Sequence, residues 1–208
     1  MSRSEGFTLA EDAPELRYQG SFITVQTVSY RGPNGEMHSR EVVRHPGAVV
    51  VVPYLESDGA VLCIEQFRVA ANSRMLELPA GKRDVVGEDP YDCAARELEE
   101  ELGIRARSWV RLATFYNSPG FTDELTHVFL ARGLSMGRRD PQGAEEAAAS
   151  LRSVRLMNLE RMIAEGKLVD AKSIIGMYAA RSYLEGRGVP ESFDDDLDLD
   201  EFEVVELG

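Results

Sequence analysis

Between Gly81 and Ile104 the chain reads GKRDVVGEDPYDCAARELEEELGI. This segment constrains the fold more tightly than any other. Asp89 can accept hydrogen bonds from first-turn N–H groups, Pro90 suits a first helical position, and Gly103 suits a helix stop. The spacing predicts a helix over Pro90–Leu102. On it, Glu97 and Glu101 are four residues apart and share a face, Glu100 lies beside them, and Arg96 is within the same turn and a half. Ala94, Ala95, Leu98 and Leu102 are assigned to the opposite, packed side. Like charges at this spacing cost stability unless a cation sits among them. Clustered carboxylate oxygens are hard ligands that suit Mg²⁺ or Mn²⁺ rather than zinc. Such an ion can bridge a diphosphate and activate water.

The rest of the chain supplies a sheet for this helix to cover. Residues 1–14 read as a loose arm. Ser21–Tyr30 and Glu36–Arg44 read as paired strands around the turn Pro33-Asn34-Gly35. Ala48–Leu55 (AVVVVPYL) is a continuous apolar run, suited to a strand covered on both faces. Further strands are expected at Ala60–Phe67, Met75–Pro79, Trp109–Asn117, Thr126–Ala131 and Leu151–Leu156, with a loop over Arg132–Ala144. Two helices close the pattern, near Asn158–Glu165 and Ala171–Glu185. The second carries apolar positions at Ile174, Ile175, Tyr178 and Tyr183. Strands on both sides of a helix, with helices late, point to an α/β fold with a mixed sheet covered on both faces.

Composition narrows the function. From Val189 to Gly208 there are nine acids and no bases, and without them the formal charge falls from −13 to −4. The acidity is a property of the tail, which is too charged to force into a fold. The balance argues against a nucleic-acid surface but not against a nucleotide ligand. No apolar run is long enough to span a bilayer, and the first residues show no signal-peptide pattern. Cys63 and Cys93 are far apart, so neither a disulfide framework nor a zinc cluster is expected. A cytoplasmic location follows as the expectation. His38, His45 and His127 lack metal-ligand spacing and are read as structural. Gly166-Lys167 lacks the glycines of a phosphate-binding loop.

The segment resembles the Nudix box, Gly-x5-Glu-x7-Arg-Glu-U-x-Glu-Glu-x-Gly-U, where U is a bulky aliphatic. Gly81, Glu88, Arg96, Glu97, Leu98, Glu100, Glu101, Gly103 and Ile104 fill every specified position. Six residues rather than five separate Gly81 from Glu88, placing the extra residue in the loop before the helix. The resemblance implies a Nudix-type α/β/α sandwich over residues 47–188, preceded by an N-terminal arm and strand extension at 1–46 and followed by a flexible tail at 189–208. It also implies that Glu97, Glu100, Glu101 and the Ala80 carbonyl bind the metal, while Glu88 and Arg96 form an ion pair holding loop to helix.

Outside the box, Glu65–Ala70 (EQFRVA) and Leu76–Gly81 (LELPAG) resemble the ADP-ribose pyrophosphatase branch. So does a proline sixteen residues after Gly103, Pro119, in a loop continuing Thr122-Asp123-Glu124. This resemblance implies Mg²⁺-dependent cleavage of a nucleoside diphosphate sugar, with ADP-ribose giving AMP and ribose 5-phosphate. It implies substrate contacts from Arg68, Gly81, Pro119 and Glu124. Arg40 and Glu41 would be contributed across a homodimer whose N-terminal strands cross between subunits. The catalytic base would be a loop glutamate after the box, Glu146 or Glu145. Two alternatives stand beside this reading. One is the same chemistry on another sugar nucleotide or a dinucleotide. The other is a non-catalytic ADP-ribose sensor, which would bind without cleaving.

Overall fold

A computed structural model describes residues 6–138 and 149–187. Glu145, Glu146 and the tail 189–208 therefore lie outside the described residues. The chain forms a small N-terminal sheet and a larger mixed sheet with helices on both faces. The N-terminal sheet comprises β1 (Thr8–Leu9), β2 (Glu15–Gln19), β3 (Thr24–Arg31) and β4 (Met37–Arg44). β4 pairs along one edge of β3, and β1 and β2 share the other. The segment read as a loose arm thus holds β1, which pairs Thr8 with Arg31. β2 is also new relative to the sequence reading. Every residue of β2 is exposed, Leu16 and Tyr18 included, so pairing with β3 rather than core burial holds it.

In the larger sheet the strand order is β10-β11-β5-β6-β13. The strands are β5 (Ala48–Leu55), β6 (Ala60–Arg68), β10 (Ser108–Tyr116), β11 (Leu125–Arg132) and β13 (Ser150–Arg155). Only the β11–β5 pair in this order is parallel. β5 is the centre, and its four valines, Val49 to Val52, are fully buried. Each such burial stabilises by about 1.5–3 kcal/mol. Side chains alternate across a strand. Val49 and Val51 therefore pack with Cys93, Ala94, Leu98 and Leu102 of α1 (Pro90–Leu102), while Val50 and Val52 face the opposite cluster. That cluster contains Leu159 of α2 (Leu159–Ala164), and Met177 and Ala180 of α3 (Ala171–Leu184). Among the described residues, no helix is long and apolar enough to cross a membrane.

Strands β5 and β6 pair only at Tyr54–Leu55 with Ala60–Val61, then separate. The gap is bridged by one continuous segment. β7 (Ser73–Glu77) pairs with β6, and β8 (Ala80–Lys82) pairs with β5. Between them Leu78 is 1% exposed, and its N–H donates to Ser173 Oγ of α3 at 2.7 Å. The crossing backbone is thereby satisfied by a side chain where no strand can reach it. Two short strands absent from the sequence reading, β9 (Ile104–Arg105) and β12 (Ser135–Met136), pair beyond the end of α1.

α3 differs from the expectation in its buried face. Ile175 and Tyr178 are 37% and 38% exposed, and the buried residues are Ser173, Gly176, Met177 and Ala180. Small residues occupy this stripe because the helix lies close on the sheet: a Cβ added at Gly176 would stand 2.8 Å from Leu78 Cδ1 and 3.4 Å from Val52 and Val128 methyls. Ile174 and Tyr183 pack at the flanks of the stripe. Gly176→Ile is expected to lower stability by about 1–3 kcal/mol through overpacking, read as a fall in the denaturant midpoint. An unchanged midpoint would show that α3 does not depend on this close approach.

Candidate functional site

α1 is fixed at both ends as its sequence anticipates. Asp89 Oδ1 accepts from the Tyr91 N–H at 2.8 Å, and Gly103, at φ 65°, donates its N–H to the Glu99 carbonyl. Its faces, however, divide differently from the sequence reading. Glu97 and Glu101 are 9% and 4% exposed and lie on the packed side with Ala94, Leu98 and Leu102. Glu97 follows Ala94 by three residues, and Glu101 follows Leu98 by three, so each carboxylate borders the apolar stripe. α1 is pressed against β8, and burial follows from that.

Two contacts define the docking. The Ala80 N–H donates to Glu101 Oε2 at 3.2 Å. At Gly81, an added Cβ would overlap the Glu97 carboxyl group. Glycine is required there because the strand backbone and the acid approach too closely for any side chain.

Arg96 organises the acids around it. Its Nε and Nη2 pair with both oxygens of Glu88 at 3.0 and 3.1 Å, a bidentate arrangement. Its Nη1 spans Glu97 Oε1 at 2.8 Å and Glu100 Oε2 at 3.1 Å. The hydrogen bonds from Arg96 hold the Glu88 carboxyl below the ordinary glutamate range against the opposing effect of burial. The same bonds push the Arg96 guanidinium further up. The nearby Cys93 thiol is pushed up to about 12, by burial first and then by Glu88, so it carries no nucleophilic thiolate.

A cleft of about 730 Å³ opens over these groups. Ala80, Gly81, Arg96, Glu97, Glu100, Arg68 and Glu124 all line it, which brings together half of the site residues singled out from sequence. Glu101 sits behind, on the Ala80 N–H. Arg68 is committed to Glu77, which is 1% exposed. Nε and Nη2 reach its two oxygens at 2.7 and 2.6 Å. These bonds raise the guanidinium pKa and neutralise a charge that could not otherwise be buried.

Other sequence candidates lie elsewhere. Arg40 and Glu41 are exposed on β4 and do not line the cleft. Pro119 is exposed in a loop fastened to the N-terminal sheet. There the Val43 N–H donates to the Phe121 carbonyl at 2.8 Å, and Asp123 accepts from Arg44 and from the His45 N–H at 3.0 and 2.8 Å.

The cleft also contains residues that the sequence did not single out. Phe22, from the turn before β3, packs edge-on against His45, and Lys82 Nζ lies 4.8 Å from its ring centroid. His45 Nδ1 accepts the Gly47 N–H at 3.0 Å, so the histidine read as structural does brace the chain while also lining the cleft. Lys172, at the start of α3, and Val85, in the lengthened box loop, complete separate parts of the wall. None of these falls at a motif spacing. Their common signal is proximity, which needs the fold.

The donor set suits a divalent ion in kind. Three carboxylates and a strand carbonyl are hard oxygen ligands, and the absence of a Cβ at Gly81 makes room for Glu97 at β8. The residues fit in chemistry, and Glu97 and Glu100 line the same cleft as Ala80. Among the described residues no three acidic, histidine or cysteine side chains converge on one point, and Arg96 Nη1 lies between Glu97 and Glu100.

A family model for the NUDIX domain matches residues 44–175. An ADP-ribose pyrophosphatase from Bacillus subtilis (strain 168) is 36% identical over 161 residues, 77% of this chain and 86% of that protein. An ADP-ribose pyrophosphatase from Mycobacterium tuberculosis is 34% identical over 180 residues, 86% of each chain. A crystal structure of an ADP compounds hydrolase superposes with a TM-score of 0.75, covering 90% of this chain and 99% of that one. At 21% identity it supports the fold alone. The match spans the central strand, the carboxylate helix and the cleft between them, and this chain belongs to the Nudix family.

Proposed function

We propose that this chain hydrolyses the diphosphate of ADP-ribose, releasing AMP and ribose 5-phosphate with the help of Mg²⁺ or Mn²⁺. The observation that carries the reading is the meeting, in one cleft, of the α1 carboxylates with the β8 backbone at Ala80 and Gly81. The cleft has room for a nucleotide-sized ligand and offers both acids for a metal and cations for phosphates. The ADP-ribose pyrophosphatases at 34–36% identity support this substrate ahead of other sugar nucleotides or dinucleotides.

Glu97, Glu100, Glu101 and the Ala80 carbonyl would hold the metal, which supplies charge neutralisation at the diphosphate and a more acidic water. With Glu97 and Glu100 among the metal's ligands, Arg96 would still hold the loop before α1 to the helix through its two bonds to Glu88. Arg68 Nη1, left over from the pair with Glu77, faces a phosphate oxygen. Glu124 contacts the substrate from the loop after β10. Glu146 or Glu145 accepts the proton of the attacking water. The full carboxylate set favours turnover over a sensor role.

We further propose that the N-terminal sheet joins two copies of the chain. By strand register Leu9 and Leu16 share one face of it and Tyr18 and Met37 the other, and they are exposed at 74%, 55%, 58% and 50%, apolar area that a second copy could cover. The second copy would bring Arg40 and Glu41 to the cleft and supply the contact for Pro119. A nucleotide-sugar substrate and the free thiols of Cys63 and Cys93 fit a cytoplasmic location.

A panel of diphosphate-linked nucleotides, assayed with Mg²⁺ and with product identification, should give the highest kcat/KM with ADP-ribose. Binding without cleavage would establish the sensor instead. Glu101→Gln and Gly81→Ala should each cut kcat by about 100-fold or more, on the scale of a lost transition-state electrostatic contact, with the fold retained. Normal turnover in Gly81→Ala would separate Glu97 from the chemistry. In analytical ultracentrifugation the wild type should sediment as a dimer, and the Leu9→Asp/Leu16→Asp variant as a monomer. A wild-type monomer would rule out the shared site.

A further inference from the structure

The metal-binding carboxylates come from α1, on one face of the large sheet. From the opposite face α3 sends a lysine into the same cleft. Lys172 is the second residue of α3, its side chain is 22% exposed, and it lines the cavity with Ala80, Gly81, Glu97 and Glu100. Its Nζ makes one bond, to Asp170 Oδ1 at 2.7 Å. An ammonium has three donors, so this bond sets its position and leaves capacity for a ligand.

The anchor of Lys172 is rigid. Asp170 is the N-cap of the 14-residue α3, and its side chain is 10% exposed. Its Oδ2 accepts both the Ser173 N–H at 2.9 Å and the Ser173 hydroxyl at 2.6 Å. Burial raises the Asp170 carboxyl, but the charge and hydrogen bond of Lys172 with the two bonds from Ser173 outweigh it, and the group stays ionised. Ser173 Oγ in turn accepts the Leu78 N–H, two residues before Ala80. The ammonium is therefore tied, through Asp170 and Ser173, to the segment that carries the box glycine. A cation in the first turn also opposes the helix dipole. An anion in the cleft removes that conflict.

We propose that Lys172 binds a non-bridging oxygen of the substrate diphosphate, held in place by Asp170, from the side of the sheet opposite the metal carboxylates. This rests on the reading of the cleft as a diphosphate hydrolase site. Lys172 and Arg68 then form the cationic wall, and the phosphates lie between it and the metal. Lysine suits this place because a compact charge on a flexible stem follows the phosphate as its geometry changes.

The test uses the full-length protein and Lys172→Met, which keeps an unbranched stem and removes the charge. Binding of inorganic pyrophosphate in the presence of Mg²⁺ is measured by calorimetry, alongside kcat and KM for ADP-ribose and the melting temperature. The pyrophosphate Kd and the KM should rise roughly tenfold, the effect of one charge-assisted hydrogen bond at a partly exposed site. The melting temperature should hold, and Lys172→Arg should recover most of the loss. Lys167→Met, which removes a lysine paired with Glu165 outside the cleft, should match the wild type. Unchanged pyrophosphate binding and KM in Lys172→Met, with a wild type that turns over ADP-ribose, overturn the lysine assignment alone. A loss that Lys172→Arg does not recover and that accompanies a lower melting temperature overturns it in favour of a packing role. A wild type that binds pyrophosphate through Lys172 but cleaves no ADP-ribose overturns only the substrate. A wild type that binds no pyrophosphate overturns both.

Discussion

The close approach of β8 to α1 governs the site. A carboxylate helix can lie this near a strand only where the strand has no side chain, and Gly81 gives Glu97 that space. One residue earlier, Glu101 accepts the Ala80 N–H and fixes the lateral position of the helix. The strand end and the acids thus form one unit. Without either contact the same residues would make an ordinary acidic helix facing water, and their repulsion would simply be screened.

That unit carries a buried electrostatic load. Glu77, Glu97 and Glu101 are 1%, 9% and 4% exposed, and isolated charges do not survive such burial. Arginine answers this twice. Arg68 closes on Glu77 with a bidentate pair, and Arg96 holds Glu88 with one side of its fork and Glu97 and Glu100 with the other. Buried pairs of this kind add little net stability. Their effect here is to keep the carboxylates ordered and near one another.

The cleft is an outcome of a break in the sheet. β5 and β6 diverge after a short pairing, and the segment from Ser73 to Lys82 crosses the gap. Leu78, at the crossing, leans on α3 through Ser173. Both faces of the sheet therefore meet at Ala80 and Gly81, α1 from one side and the start of α3 from the other. The loop after β10 and the end of β4 are joined through Asp123 to Arg44 and His45, which brings the N-terminal sheet to the same rim.

Local signals in the chain were enough for much of this. α1 occupies Pro90–Leu102 and β5 occupies Ala48–Leu55, as capping residues and an unbroken apolar run dictate. The box and its glycine were legible because a fixed backbone geometry demands fixed residues at fixed spacing. β1 and β2 were not, since both are short and wholly exposed, and what holds them is a partner strand, β3, that the fold supplies. Nor was the buried stripe of α3. Hydrophobicity favours Ile175 and Tyr178, but the distance between helix and sheet favours Gly176 and Ala180.

Sequence alone thus determined the central strand, the carboxylate helix, the family and the acids on α1, because these depend on neighbours within a few residues. Tertiary structure decided which side of α1 was buried, that Arg68 would serve Glu77, and that Phe22, His45 and Lys172 would share one cleft. Those facts depend on which distant segments touch. Contacts between residues as far apart as Leu78 and Ser173 exist only once the sheet has split and both helices have packed.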